Sequence, residues 1–182
     1  MAVIGIIATL DTKGQEAAFL REKIEEAGHQ ALILDSGMLF EPVIEPDVSR
    51  HEILSSAGVD DLEAYRVNDK AALQHAMTAG LQKTVRRLYD EGRIQGILSV
   101  GGGQGSAMSS KAMQVLPIGF PKVIVSTVAC GTARFGDYVG NRDIVMIPSI
   151  ADICGLNAIT VPIFSSGVGA VVGMVEMAER AP

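Results

Sequence analysis

Four glycines fall within five positions at residues 101–105, inside the run "SVGGGQGSAMSSKAM" (residues 99–113). An apolar, strand-like stretch precedes them and a helix-like stretch follows. A backbone without Cβ atoms can turn several N–H groups toward one point. The following helix adds its unpaired first-turn amides and the positive end of its dipole. Together these suit an anion, above all a phosphate. Gln104, Ser106 and Ser109 would add neutral hydrogen bonds. The alternative is a tight strand-to-helix turn that binds nothing. The run is not a P-loop, because no Gly-Lys-Ser/Thr follows. Nor is it the dinucleotide fingerprint: Gly101 and Gly103 start that pattern, but position 106 is serine.

Two further segments carry groups of the same chemistry. "TLDTKG" (residues 9–14) offers Thr9, Asp11, Thr12 and Lys13. Lys13 could neutralise phosphate charge and Asp11 could hold magnesium, directly or through water. Alternatively, Thr12 or Asp11 caps the next helix and Lys13 is solvated. "STVACGTARFGD" (residues 126–137) offers the hydroxyls of Ser126, Thr127 and Thr132, with Gly131 allowing close approach. Cys130 is read as a small, half-buried core thiol; its use as a nucleophile lacks a nearby histidine in sequence. Arg134 is either a phosphate contact or a surface ion-pair member. Asp137, Asp143 and Asp152 read as turn and cap residues. No catalytic residue and no metal-ligand set is assigned.

Each segment must sit at the end of a strand to act together, and the elements allow this. Residues 2–8 and 29–35 are short apolar strands around a helix at 15–27, whose stripe is Ala17, Leu20, Ile24 and Ala27, with Gly28 at its end. That is a βαβ unit. Residues 36–66 are irregular, with a short helix near 50–57, and read as an excursion over a ligand cleft or a dimer arm. The longest helix spans 68–91, with Leu73, Met77, Leu81, Thr84 and Leu88 inward. Strands follow at 94–100, 121–128 and 143–149, with a helix at 105–115 between the first two. A terminal helix runs from Pro162 to about Arg180; its Gly169 and Gly173 would let another backbone pack closely. The expected fold is α/β: an open parallel sheet with helices on both faces, a Rossmann-like three-layer sandwich, as one domain over residues 1–182. In such a sheet ligands bind beyond the carboxyl ends of the strands. All three segments are strand exits.

Composition narrows the partners. The net charge of −6 argues against nucleic acid. His29, His51 and His75 form no metal-ligand spacing. Two cysteines in 182 residues suit a reducing cytoplasm. The start "MAVIGIIATL" lacks the basic opening of a signal peptide. The apolar stretch 163–177 reads as too short and too interrupted by Gly and Ser to span a bilayer, so no membrane partner is expected. A positive mean hydropathy suggests doubly buried elements or a large interface.

The stretches "IGIIATLDTKGQEAAFLREKIEEAGHQALILDSG", "ILSVGGGQGSAMSSKAMQVLPIGFPKVIVSTVACGT", "YVGNRDIVMIPSIADICGLN" and "GAVVGMV" are similar to an uncharacterised bacterial and fungal family. That family is related to the ATP-binding N-terminal domain of the tomato mosaic virus resistance protein. The resemblance covers nearly the whole chain and implies an α/β domain that binds ATP with magnesium. The family's "GTLDTKG" falls on Ala8 to Gly14, its "GGSGGT" on Gly101 to Ser106 and its "STxASG" on Ser126 to Gly131. The resemblance and the strand-exit hydroxyls together put the cofactor on Thr9, Asp11, Thr12, Lys13, Gly102, Gly103, Gln104, Gly105, Ser106, Thr127, Cys130, Gly131 and Thr132. The chain departs from the pattern with Gly103 and Gln104 for Ser and Gly, Ser106 for Thr, Cys130 for Ser, and "TARFGDYVG" for "DTRPYVG". It matches the first half of longer family members. The expected function is an ATP-binding module, acting as a sensor or as one subunit of an assembly with itself or with a second-half or full-length homologue. The alternatives are an ATP-dependent ligase or phosphotransferase acting on a small molecule, and a degenerate half-domain with an assembly role.

Overall fold

In the computed structural model, which describes residues 1–60, 69–130 and 135–180, the first strand β1 (Val3–Ala8) lies near the centre of a five-stranded sheet. Its run of Ile, Gly and Ala is buried on both faces, so no polar alternation appears. Helix α1 (Leu10–Glu26) returns the chain to β2 (Gln30–Asp35), which pairs parallel with β1 from Val3↔Gln30 to Ala8↔Asp35. After α2 (Arg50–Ser56) and α3 (Lys70–Asp90), β3 (Gly96–Gly101) pairs with the other side of β1. Helix α4 (Gly103–Met113), β4 (Lys122–Ser126), the short α5 (Phe135–Val139), β5 (Val145–Pro148) and α6 (Thr160–Glu179) complete the described elements. The sheet order is β2-β1-β3-β4-β5, with every pairing parallel. The chain reverses direction across the sheet between β1 and β3, and that reversal opens a crevice at their carboxyl ends.

The period-2 geometry of the strands divides the apolar side chains between two cores. Ile4, Ile6, Leu98, Val100, Val123 and Val125 face α1 and α6, where Leu20, Ile24 and Phe164 are completely buried. Ile7, Leu34, Ile97 and Ile124 face α2, α3 and α4, packing on Ile53, Met77, Leu81 and Met108. Each such fully buried side chain contributes about 1.5–3 kcal/mol relative to exposure. Three layers result, as the alternation of elements predicts. The free edge of β2 is covered by residues 46–48: Asp47 and Val48 donate their backbone N–H groups to Ile33 O, and Asp35 N donates to Val48 O.

The structure shifts several predicted boundaries. Helix α1 begins at Leu10 rather than 15, and Lys13 breaks its geometry at φ −128°, ψ 22°. Helix α4 begins at Gly103, so Gly103 and Gly105 lie in its first turn rather than in a loop before it. The terminal helix extends to 20 residues, and by length and composition alone it is apolar enough to cross a membrane. This differs from the reading of 163–177 as too short. One face of the helix is part of the second core, through Phe164, Val168, Val171 and Val175.

Within the chain, the close approach of this helix to the sheet falls at Gly167. A Cβ on Gly167 would lie 2.6 Å from Val125 Cγ2, whereas Gly169 and Gly173 have nothing within 4 Å. Gly169→Ala and Gly173→Ala should therefore each raise stability by about 0.5–1 kcal/mol through helix propensity alone. Thermal melts of the two variants check this, with Gly167→Ala as the opposite-sign control.

Lys122 is fully buried at the foot of β4 and spends its three protons on Asp143 Oδ1 (2.9 Å), Pro117 O and Phe120 O. Burial acts to raise the Asp143 carboxyl, but the bonds from Lys122 and Gly119 N outweigh it and hold the group below its ordinary range. A depressed folded pKa stabilises above the unfolded value, about 3.9, and that gain is lost as pH falls through the folded value. Asp143→Asn should cost about 1 kcal/mol at neutral pH, a fall of roughly 2–4 °C in Tm. Its melting curve should also converge with wild type below about pH 4.

Candidate functional site

At the crevice between β1 and β3, two predicted segments meet around one small cavity of about 160 Å³. Thr9, Asp11, Thr12 and Lys13 line it from the start of α1; Gly102, Gln104 and Gly105 line it from the start of α4. The third wall is Met38 and Leu39, from the loop after β2.

The α4 side presents backbone. Gly102 is the N-cap residue and no side chain caps the helix. Ser106 N donates to Gly102 O, so the amides of Gly103, Gln104 and Gly105 precede the first intrahelical bond. Beneath this turn lies a set of buried hydroxyls. Ser106 Oγ donates to Gly101 O and pairs with Ser126 Oγ, and Ser99 Oγ donates to Ser109 Oγ at 2.7 Å. These bonds fasten the start of α4 to the ends of β3 and β4. Ser106 and Ser109 therefore face the sheet, not the cavity, which corrects the expectation that they would meet a ligand.

On the α1 side, Thr9 and Thr12 share a hydrogen bond between their hydroxyls at 2.9 Å. Lys13 Nζ has one long contact, 3.5 Å to Thr12 O. Lys13 is the one basic side chain that lines the cavity among the described residues. One oxygen of Asp11 holds the loop after β2: Oδ2 accepts from the backbone N–H groups of Met38, Leu39 and Phe40. Among the described residues no group of three or more His, Cys, Asp or Glu is arranged to hold a metal ion. Gly14, predicted alongside these residues, serves packing: a Cβ there would lie 2.2 Å from Val43 Cγ2.

The first turn of α1 receives a cap that no local sequence signal carries. Asp35, at the end of β2, accepts from Leu10 N and Gly37 N through Oδ1, and from Arg50 Nε through Oδ2 at 3.0 Å. Asp35 and Arg50 are both almost wholly buried. Burial raises the Asp35 carboxyl above its ordinary range, against the opposing effect of the two amides and the Arg50 charge.

Of the remaining predicted residues, Gly103 and Thr127 adjoin the cavity without lining it. Thr127 Oγ1 would lie 3.8 Å from a Cβ on Gly102, and Val128 backs Gly103 in the same way. Cys130 is exposed, not half-buried, because it sits beyond the last ladder residue of β4; its thiol donates to Thr127 O. Gly131, Thr132 and Arg134 lie outside the described residues. The sequence reading missed Met38 and Leu39; the irregularity of the segment after β2 was the available signal.

The sequence matches the family model described as "Uncharacterised protein family (UPF0261) N-terminal domain" over residues 2–180. It is similar to a UPF0261 protein of Clostridium tetani, 37% identical over 171 residues, which is 94% of this chain and 42% of that protein. A UPF0261 protein of Brucella suis is 31% identical over 96% of this chain and 42% of its own length. The ToMV resistance protein Tm-1(GCR237) of Solanum lycopersicum is 31% identical over 93% of this chain and 24% of its own length. The chain thus spans less than half the length of these curated relatives.

Proposed function

Since the chain belongs to the UPF0261 family and corresponds to its N-terminal domain, we propose that it is a nucleotide-binding module, with ATP as the ligand. One observation carries the reading: the uncapped first turn of α4 and the ammonium group of Lys13 meet at a single cavity where the sheet topology reverses. Backbone amides and a helix dipole stabilise phosphate oxygens without needing a side-chain base. Lys13 supplies the compact positive charge. The resemblance to an ATP-binding domain supports the choice of nucleotide. Magnesium would enter on the phosphates, since it keeps most of its water and needs few protein carboxylates.

The module is proposed to work inside a larger assembly rather than to catalyse alone. No paired acid and base and no activated nucleophile adjoins the cavity among the described residues. The outer face of α6, with Gly169 and Gly173 open and Met177 64% exposed, is the surface available to a second polypeptide or a second copy. Calorimetry with ATP, AMP and NAD, each with and without magnesium, tests the ligand. Magnesium-dependent ATP binding supports the proposal, and no binding at millimolar nucleotide removes it. Lys13→Ala should weaken ATP binding by roughly tenfold or more, with an unchanged melting temperature. Unchanged affinity would take Lys13 out of the site.

A further inference from the structure

A cavity of about 160 Å³ falls below the ~300–1,000 Å³ of sites that enclose a drug-sized ligand. It suits phosphate groups and leaves the nucleoside of a bound nucleotide on the rim. On one rim the loop after β2 is held with unusual firmness. Asp11 Oδ2 accepts three consecutive amides, Met38 (3.1 Å), Leu39 (2.8 Å) and Phe40 (3.3 Å). Asp35 Oδ1 takes the amide of Gly37 at 2.8 Å, and Arg50 Nη1 donates to Phe40 O. Gly37 is gripped between the two carboxylates: a Cβ there would lie 2.9 Å from both Asp11 Cγ and Asp35 Oδ1.

Such a network would be expected to bury what it orders. It instead fixes two large apolar side chains in exposed positions, Leu39 at 47% and Phe40 at 66%. Leu39 also lines the cavity. A rigid apolar or aromatic surface beside a phosphate pocket is what a nucleobase needs, because every base has a face that stacks.

We infer that Asp11 is a positioning residue that, with Arg50, latches the 37–40 loop as the wall on which the base of the nucleotide lies. The inference rests on the nucleotide reading above and assigns the base half of that ligand. It also removes Asp11 Oδ2 from any role as a magnesium ligand, since three amides already occupy it.

Titration calorimetry of the full chain with magnesium, comparing ATP with inorganic tripolyphosphate, tests it. Wild type should bind ATP at least roughly tenfold more tightly than tripolyphosphate. The exposed-site variant Phe40→Ser should bring ATP down toward the tripolyphosphate affinity and leave tripolyphosphate binding unchanged, and Asp11→Ala should narrow the ratio between the two affinities. Asp11→Asn, whose amide oxygen still accepts from the loop, should keep most of the difference. Equal losses for both ligands, or no loss in Phe40→Ser and Asp11→Ala, overturn the inference. Equal wild-type affinity for ATP and tripolyphosphate overturns it while the phosphate pocket stands. If wild type binds neither, the nucleotide reading itself falls and takes the inference with it.

Discussion

Replacing Gly102 by leucine is expected to lower ATP affinity by about 100-fold or more and to leave the fold intact. The backbone at Gly102 has φ −78°, ψ −163°, which any residue adopts. A Cβ there meets nothing closer than Thr127 Oγ1 at 3.8 Å. The backbone and the first side-chain carbon are therefore accommodated, the rest of the side chain extends from a cavity-lining position, and the expected cost in stability is about 1 kcal/mol, that of a poorer N-cap. The added side chain stands at a cavity-lining position, in a space of about 160 Å³ that has no room for both it and phosphate oxygens. A hundredfold loss corresponds to about 2.7 kcal/mol, a modest demand for blocking the converging amides of a helix terminus. Calorimetry reads the affinity, and a thermal melt of the same sample reads the fold. Wild-type affinity in the variant would remove the glycine turn from the site.

The largest expected loss of stability follows Arg50→Ala. Arg50 is 2% exposed; its Nε pairs with Asp35, which is fully buried, and its Nη1 satisfies Phe40 O. Truncation strands a carboxylate in the interior, at a cost of about 3–5 kcal/mol. The pH dependence has a defined sign. Burial already raises the folded pKa of Asp35, and loss of the guanidinium raises it further. A raised folded pKa means the folded state gains protons preferentially as pH falls, so acid relieves the penalty. Denaturant melts should show the full deficit near pH 8 and a smaller one near about pH 5. Asp35→Asn/Arg50→Met, which removes both charges, should recover much of the loss at neutral pH. A deficit that is constant with pH would mean that packing of the Arg50 stem, not its charge, is what holds this corner.

The glycine turn shows how far local pattern reaches. Its position between an apolar strand and a helix was legible because the strand has one period and the helix another. The same pattern could not say that Gly103 and Gly105 belong to the helix, since glycine's weak helical preference is overridden once the turn is fastened to the sheet. Ser106 and Ser109 were read as ligand groups because a serine in a loop and a serine facing a sheet have the same letter. Their direction depends on where α4 docks, and that is fixed by Ser99 and Ser126 on two other strands.

Asp11 makes the same point across a longer separation. Its carboxylate, next to Thr12 and Lys13, has the composition of a phosphate and metal site, yet its Oδ2 accepts from amides 27 to 29 residues later. The cap on α1 comes from Asp35, 25 residues downstream, and the grip on Phe40 O comes from Arg50. None of these pairings has a period or spacing that a sequence can display.

The sequence by itself determined the layers: alternating short apolar runs and amphipathic stripes bury their faces only as a parallel sheet between helices, and this places the polar exits of the strands at one edge. Tertiary structure alone decided the order β2-β1-β3-β4-β5. That order brings the exits of β1 and β3 side by side, seats the 37–40 loop against them, and turns some polar side chains inward. The physical reason is that periodicity encodes which face of an element is buried, whereas hydrogen-bond partners and strand neighbours depend on contacts between residues far apart in the chain.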